Sequence, residues 1–119
     1  MNIEDYRDFC LSLPGTIEET PFGPDTLVFK VGGKIFALTD LQTFASFNVK
    51  CDPEHAVELR ERYDYVLPGF HMNKKHWNTI VVGVGASDAQ LREWITHSYQ
   101  LVVSALPKAL RAELQQADA

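Results

Sequence analysis

Apolar positions along this chain change period several times, and each change marks an element. Ile3, Tyr6, Phe9 or Cys10, and Leu13 recur at helical spacing until Pro14-Gly15 stops the run. Thr16 to Asp25 keeps no period, and Pro21-Phe22-Gly23-Pro24 excludes a continuous helix, so this stretch reads as turn-rich. The period then drops to two. Thr26–Val31 and Lys34–Thr39 are β-rich runs joined by Gly32-Gly33, a pair tolerant of positive φ that predicts a two-residue hairpin turn. Direct pairing across that turn opposes Leu27 with Leu38, Phe29 with Phe36 and Val31 with Lys34 on the core face. Lys30 and Ile35 fall on the other face, so Lys30 and Lys34 leave the hairpin tip in opposite directions.

A third strand is predicted over Phe44–Lys50, where Ala45, Phe47 and Val49 alternate with Ser46, Asn48 and Lys50. Asp52 as N-cap and Pro53 at the first helical position open a helix with Ala56, Leu59 and Tyr63 as its buried stripe. Glu58 and Arg62 form a solvated pair on its outside. Val66-Leu67-Pro68-Gly69 reads as a short strand or turn, and Trp77–Val82 as another strand, ended by Gly83-Val84-Gly85. Ser87 and Gln90 form a capping box for the longest helix, whose stripe is Leu91, Trp94, Ile95, Ser98, Leu101, Val102 and Ala105. Pro107 ends or kinks it, leaving residues 108–119 as a peripheral tail with a short, fraying helix. Strands run together and do not alternate with helices. That order predicts an α+β fold: one two-layer domain over residues 1–119, an antiparallel sheet with helices packed on one face.

Composition adds limits. The chain has 119 residues, enough for one core and no second domain, and its 45% apolar content is that of a globular protein. Cys10 and Cys51 are too far apart for a metal or redox motif and read as reduced thiols of a cytoplasmic protein. The acidic N-terminus lacks the pattern of a signal peptide, and no apolar stretch approaches the ~20 residues a membrane helix needs.

Net charge is −5, which argues against a generic nucleic-acid coat. The signs are nevertheless separated. Residues 1–25 carry Arg7 against six acidic groups, whereas residues 26–51 carry Lys30, Lys34 and Lys50 against Asp40 alone. From Tyr65 to Ser87 there is no Asp or Glu, and within that span lies Gly69-Phe70-His71-Met72-Asn73-Lys74-Lys75-His76-Trp77. A segment this polar and cationic is costly to bury, so it belongs at a surface.

Signs of catalysis fail one by one. Gly83-Val84-Gly85 follows a strand, but Asp88 stands where a dinucleotide loop has its third glycine, and the βαβ context is absent. His71 and His76 lack a third ligand in their segment, and Lys74 and Lys75 repel a cation, so no metal is expected. Ser46, Ser98 and Cys51 sit in no nucleophile motif. Glu18 and Glu19 are strand neighbours and point to opposite faces. No cofactor is implied. Trp94 fits a core stripe. Trp77 begins a strand after the basic cluster and either anchors the loop or stacks on a base.

Five blocks in order also resemble one family. They are Pro14-Gly15 with Glu18-Glu19-Thr20-Pro21-Phe22-Gly23, Leu27 through Ala37, Lys50-Cys51-Asp52-Pro53-Glu54, Pro68 through Trp77, and Ser98-Tyr99-Gln100-Leu101-Val102. The chain is similar to the MmcQ/YjbR family of small bacterial proteins over nearly its whole length, apart from the final dozen residues. The resemblance implies a CyaY-like or secretion-chaperone-like domain and a DNA-binding role through a double-wing motif. It carries no catalytic residues. Phe70 stands where the family often has Tyr, so a phenol hydrogen bond is missing.

Three readings follow. In the first, a non-enzymatic DNA-binding domain, Lys30, Lys34, Lys50, Lys74, Lys75, His71 and His76 contact phosphate, Asn73 donates hydrogen bonds, and Trp77 stacks. A cationic hairpin end is also what a protected sheet edge looks like, and that is the commoner case. In the second, a small molecule or peptide binds beside Trp77, which the resemblance links to drug resistance by sequestration. The third is structural: Asn73, His71 and His76 hydrogen-bond to the loop backbone. Surface placement of the lysines discriminates among the readings.

Overall fold

Asn2 caps the first helix by accepting from Asp5 N–H, and α1 runs Ile3–Ser12 with Tyr6 and Cys10 buried. The computed structural model describes residues 1–118, and Ala119 of the expected tail lies outside them. After α1 come β1 (Ile17–Glu19), β2 (Thr26–Val31), β3 (Lys34–Asp40) and β4 (Ser46–Lys50). Then follow α2 (Pro53–Arg62), β5 (Val66–Pro68), β6 (Trp77–Val81), α3 (Asp88–Ser104) and α4 (Lys108–Asp118). The strands form one antiparallel sheet in the order β1-β2-β3-β4-β6-β5. The fold is α+β, as the clustering of strands predicts. No described helix is long and apolar enough to cross a membrane.

Helices α1, α2 and α3 bury their stripes in one core with Phe29, Val31, Phe36, Phe47, Val49 and Ile80 of the sheet. Tyr6 meets Phe29 edge to face at 5.5 Å between ring centres and lies 5.0 Å from Phe47. Both predicted helix starts hold: Asp52 accepts from Glu54 and His55 N–H, and Ser87 and Gln90 form a reciprocal box. In α3 the buried residues are Leu91, Trp94, Ile95, Ser98 and Val102, while Ala105 is exposed.

The hairpin departs from its predicted register. Val31 opposes Lys34 and Lys30 opposes Ile35, but Phe29 opposes Ala37, Val28 opposes Leu38 and Leu27 opposes Thr39. A bulge between Phe29 and Lys30 leaves Phe36 as the extra residue. A one-residue slip turns every later side chain over. Phe36 keeps its predicted place in the core, Ala37 joins it there, and Leu38 faces outward beside Val28, so Ala37 and Leu38 exchange the faces that simple alternation assigns them. The turn-rich stretch also holds a strand, since Ile17–Glu19 pairs with Lys30, Phe29 and Val28. A three-residue edge strand is too short to show a period.

The last helix is bound more closely than a peripheral tail. Leu114 packs against the core, and a Cβ on Gly15 would collide with Leu114 Cδ2. Leu106 is buried over the hairpin turn, where a Cβ on Gly32 would come within 2.6 Å of its Cδ1. Gly32 and Gly33 both have positive φ, +58° and +79°.

One buried side chain ties the layers together. Ser98 is fully buried on α3 and donates to the Phe36 carbonyl at 2.6 Å while accepting from Lys50 N–H at 2.8 Å. It satisfies a carbonyl at the bulge and an amide past the last β3–β4 pair, Ala37 with Val49. Ser98→Ala removes both partners at once. A loss of about 1–3 kcal/mol in urea unfolding is expected, and stability within experimental error of wild type would show the bridge to be dispensable.

Candidate functional site

All neighbouring strands are antiparallel, so β2, β4 and β5 end where β3 and β6 begin. The Gly32-Gly33 turn, Lys50 at the end of β4 and the 69–76 loop therefore share one end of the sheet. Lys30, Lys34, Lys50, Lys74, Lys75, His76 and Trp77 all belong to these segments.

All but His76, which lines neither, divide between two concavities. Lys30, Lys34, Lys50 and Trp77 line a cleft of about 710 Å³, closed on its other side by Leu106, Pro107 and Leu110 at the α3–α4 junction. Lys30 and Lys34 reach this same cleft despite their opposite strand faces, because it lies over the hairpin tip. Trp77 opposes Lys50 in the β4–β6 pair and is half-buried. Lys74 and Lys75 line a second hollow against α2, with Pro53, Glu54, Val57 and Arg60. His71 lies apart from both. It has positive φ (60°), sits 4.1 Å from the Phe70 ring, and borders a groove of about 650 Å³ with Phe22, Leu38 and Asn48. Leu38 and Asn48 are outward residues of β3 and β4, so this groove runs over the sheet face opposite the helices.

Charge on the cleft is partly neutralised. Lys30 Nζ lies 2.9 Å from Glu19 on edge strand β1. The other residue of that acidic pair is used as well, since Glu18 accepts from Arg7 Nε at 2.6 Å and its carboxyl is held below the usual range by that guanidinium. Among the described residues, the ammonium groups of Lys34, Lys50 and Lys75 have no hydrogen-bond or ion-pair partner.

The 69–77 loop binds largely to itself. Gly69 N–H donates to Trp77 O at 2.9 Å, and a Cβ on Gly69 would strike Trp77 Cβ at 2.7 Å. Asn73 accepts from Lys75 N–H at 2.9 Å through Oδ1, and from Trp77 N–H at 3.0 Å through its carbonyl. Phe70 N–H donates to Thr79 Oγ1, Thr79 donates to Asn48, and Asn48 returns a bond to Phe70 O. Asn73 thus performs the structural role considered for it. His71 and His76 side chains make none of these bonds.

Arg60 was missed by sequence reasoning and is central. It donates to Asn78 Oδ1 at 2.7 Å, to Trp77 O at 3.2 Å and to Lys74 O, clamping the loop onto α2. Its signal was its position four residues after buried Ala56, on the inward side of α2.

A second unforeseen cluster pairs His55 of α2 with His97 of α3, rings 5.6 Å apart. His97 Nε2 is buried without a hydrogen-bond partner. Burial pushes the His97 imidazole below its ordinary range and His55 adds to the shift, with Asp52 and Glu93 opposing it. Cys10 and Cys51 are free and buried, and burial raises the Cys51 thiol to about 11, so neither is an activated nucleophile. Among the described residues, no three His, Cys, Asp or Glu side chains gather as a metal site would require.

Known proteins resemble this chain in sequence and fold. The family model YjbR matches residues 11–101. The uncharacterised protein YbdF of Escherichia coli O157:H7 is 42% identical over 106 residues, covering 88% of this chain and 87% of its own. The uncharacterised protein YjbR of Escherichia coli K12 is 29% identical, covering 98% and 99%. The crystal structure of Deinococcus radiodurans protein DR2400, of domain family DUF419, superposes with a TM-score of 0.89 at 38% identity, covering 96% of this chain and 88% of that one.

Three experiments test the local chemistry. Arg60→Ala is expected to cost about 2–3 kcal/mol, the scale for charged hydrogen bonds, and to speed amide exchange across residues 70–77. The double change His71→Ala with His76→Ala should stay within about 0.5 kcal/mol of wild type; a large drop in melting temperature for the histidine variant would reverse these assignments. The lowered His97 pKa favours the neutral ring in the fold, so its contribution is full above about pH 6.5. That contribution is lost as pH falls towards the lower folded value, and His97→Gln should flatten this acid-side decline in urea titrations.

Proposed function

The chain belongs to the YjbR family, and on that premise we propose that it is a cytoplasmic, non-enzymatic DNA-binding domain that grips the phosphate backbone with one end of its sheet. The observation that carries this reading is the gathering of Lys30, Lys34, Lys50, Lys74 and Lys75 on neighbouring loops of a protein whose net charge is −5. Two loops flank β4 as paired projections, with Lys50 between them. Backbone contact by lysine point charges needs no particular base sequence.

The same geometry limits the strength. Lys30 is paired with Glu19, Glu54 borders the Lys74–Lys75 hollow, and the acidic remainder repels a polyanion. About four effective lysines give a slope of log K against log salt of roughly −3 to −4.

Titration of a labelled duplex at low salt should give a Kd in the ~1–100 μM range of non-specific binding. Lys34→Gln with Lys50→Gln should make the slope shallower by about 2, since each neutralised phosphate contributes about 0.9. Glu19→Gln should tighten binding by releasing Lys30. No detectable complex at ~100 μM protein would sink the proposal.

A further inference from the structure

Among the described residues, the cleft over the hairpin tip joins unpaired cations to a broad apolar wall. The groove over the outer sheet face is lined by Phe22, Leu38, Phe70 and Met72 and contains no lysine or arginine. The hollow beside His55 and His97 is lined mainly by polar side chains of α3 and has no aliphatic wall. The Lys74–Lys75 hollow has an acidic neighbour, Glu54, and little apolar depth beyond Val57 and Pro53. The cleft over the hairpin tip differs from all three.

Its volume of about 710 Å³ lies within the ~300–1,000 Å³ typical of small-molecule sites. Trp77 presents a half-buried indole, and Ile35 and Leu110 supply aliphatic surface. Leu106 is fixed against Gly32, so the wall it forms is pre-built. Lys34 and Lys50 bring two unpaired ammonium groups to the cleft, and Lys30 brings a third that is shared with Glu19. The first turn of α4 also borders the cleft at Pro107 and Leu110. Its leading N–H groups lack partners within the helix, and the helix dipole there favours negative charge.

We infer that this cleft binds a small amphipathic anion, with a planar or aliphatic body against Trp77 and Leu110 and its carboxylate, sulfonate or phosphate between Lys34 and Lys50. A neutral ligand forfeits the lysines, and a compact inorganic ion forfeits the apolar wall. Because Lys34 and Lys50 also belong to the basic sheet end proposed to hold DNA, the small anion and the duplex compete. That competition rests on the DNA reading; occupancy of the cleft does not.

The probe is naphthalene-2-sulfonate, titrated into ¹⁵N-labelled full-length protein and followed by amide and indole N–H shifts, with naphthalene-2-methanol as the uncharged analogue. Shifts should centre on Lys34, Ile35, Lys50, the Trp77 indole and Leu106 to Leu110. Affinity should be at least about tenfold weaker for the alcohol, a difference of about 1.4 kcal/mol. Lys34→Gln with Lys50→Gln, shown to be folded by its dispersed spectrum, should lower sulfonate affinity to that of the alcohol. No saturable shift up to about 5 mM probe would overturn the inference, as would equal affinity for the alcohol or shifts confined to Leu38, Phe70 and Met72. Duplex titration of the same samples separates the two ideas: sulfonate binding without DNA binding removes the DNA reading alone, and DNA binding without sulfonate binding removes this one alone.

Discussion

A single hydroxyl organises the hairpin side of the basic sheet end. Ser98, fully buried on α3, joins the Phe36 carbonyl of β3 to the Lys50 amide of β4. The bulge that leaves Phe36 unpaired would otherwise strand a buried carbonyl, a cost of about 1–3 kcal/mol. With the hydroxyl in place, α3 is held in register on the sheet. The register then sets where Val102 and Leu106 meet the hairpin turn, and so how wide the cleft between them is. The backbone of Lys50 is fixed by its own N–H in this bridge, while its ammonium stays unpaired.

Charge is organised by the sheet edge. Strand β1 carries Glu18 and Glu19 on opposite faces, one bound to Arg7 on the helical side and the other to Lys30 on the outer side. Both pairs are partly exposed, so each contributes little to stability. Their effect is on distribution: β1 shields the outermost lysine and leaves Lys34 and Lys50 as the uncompensated charges of the cleft. The 69–77 loop shows a similar division of labour. Arg60, Asn73, Gly69 and Lys74, whose Nζ donates to the Gly69 carbonyl, spend their bonding capacity on shape, and Lys75 is the group that the shape presents.

Much of the fold was legible because its signals are local. Caps at Asp52 and Ser87, the proline stops and the Gly32-Gly33 turn act within a few residues. Apolar stripes of Tyr6 with Cys10, and of Leu91 through Val102, report a buried face wherever the period persists. The hairpin register was not legible, since a bulge at Phe29–Lys30 obeys the packing of Phe29, Phe36 and Ala37 under α3 and leaves no mark on the alternation itself. Strand β1 was hidden by its length. Arg60 was hidden because a charged residue on a helix reads as solvated until its acceptors, three backbone or amide oxygens from residues 74–78, are placed beside it. Leu114 likewise gained a role only when α4 folded back over Gly15.

Sequence alone therefore determined every element but β1, the antiparallel α+β class, the segregation of charge and the family, since each follows from composition, period or contiguous motif. Tertiary structure decided which lysines act together. Lys30, Lys34, Lys50 and Trp77 are separated by up to 47 positions along the chain, and antiparallel pairing carried them to one cleft. Lys74 and Lys75 are nearer to Trp77 in sequence than any of these, yet Arg60 turns their loop towards α2. Proximity in a chain is set by covalent bonds, but proximity in a site is set by strand order, a bulge and the few buried hydrogen bonds that hold them.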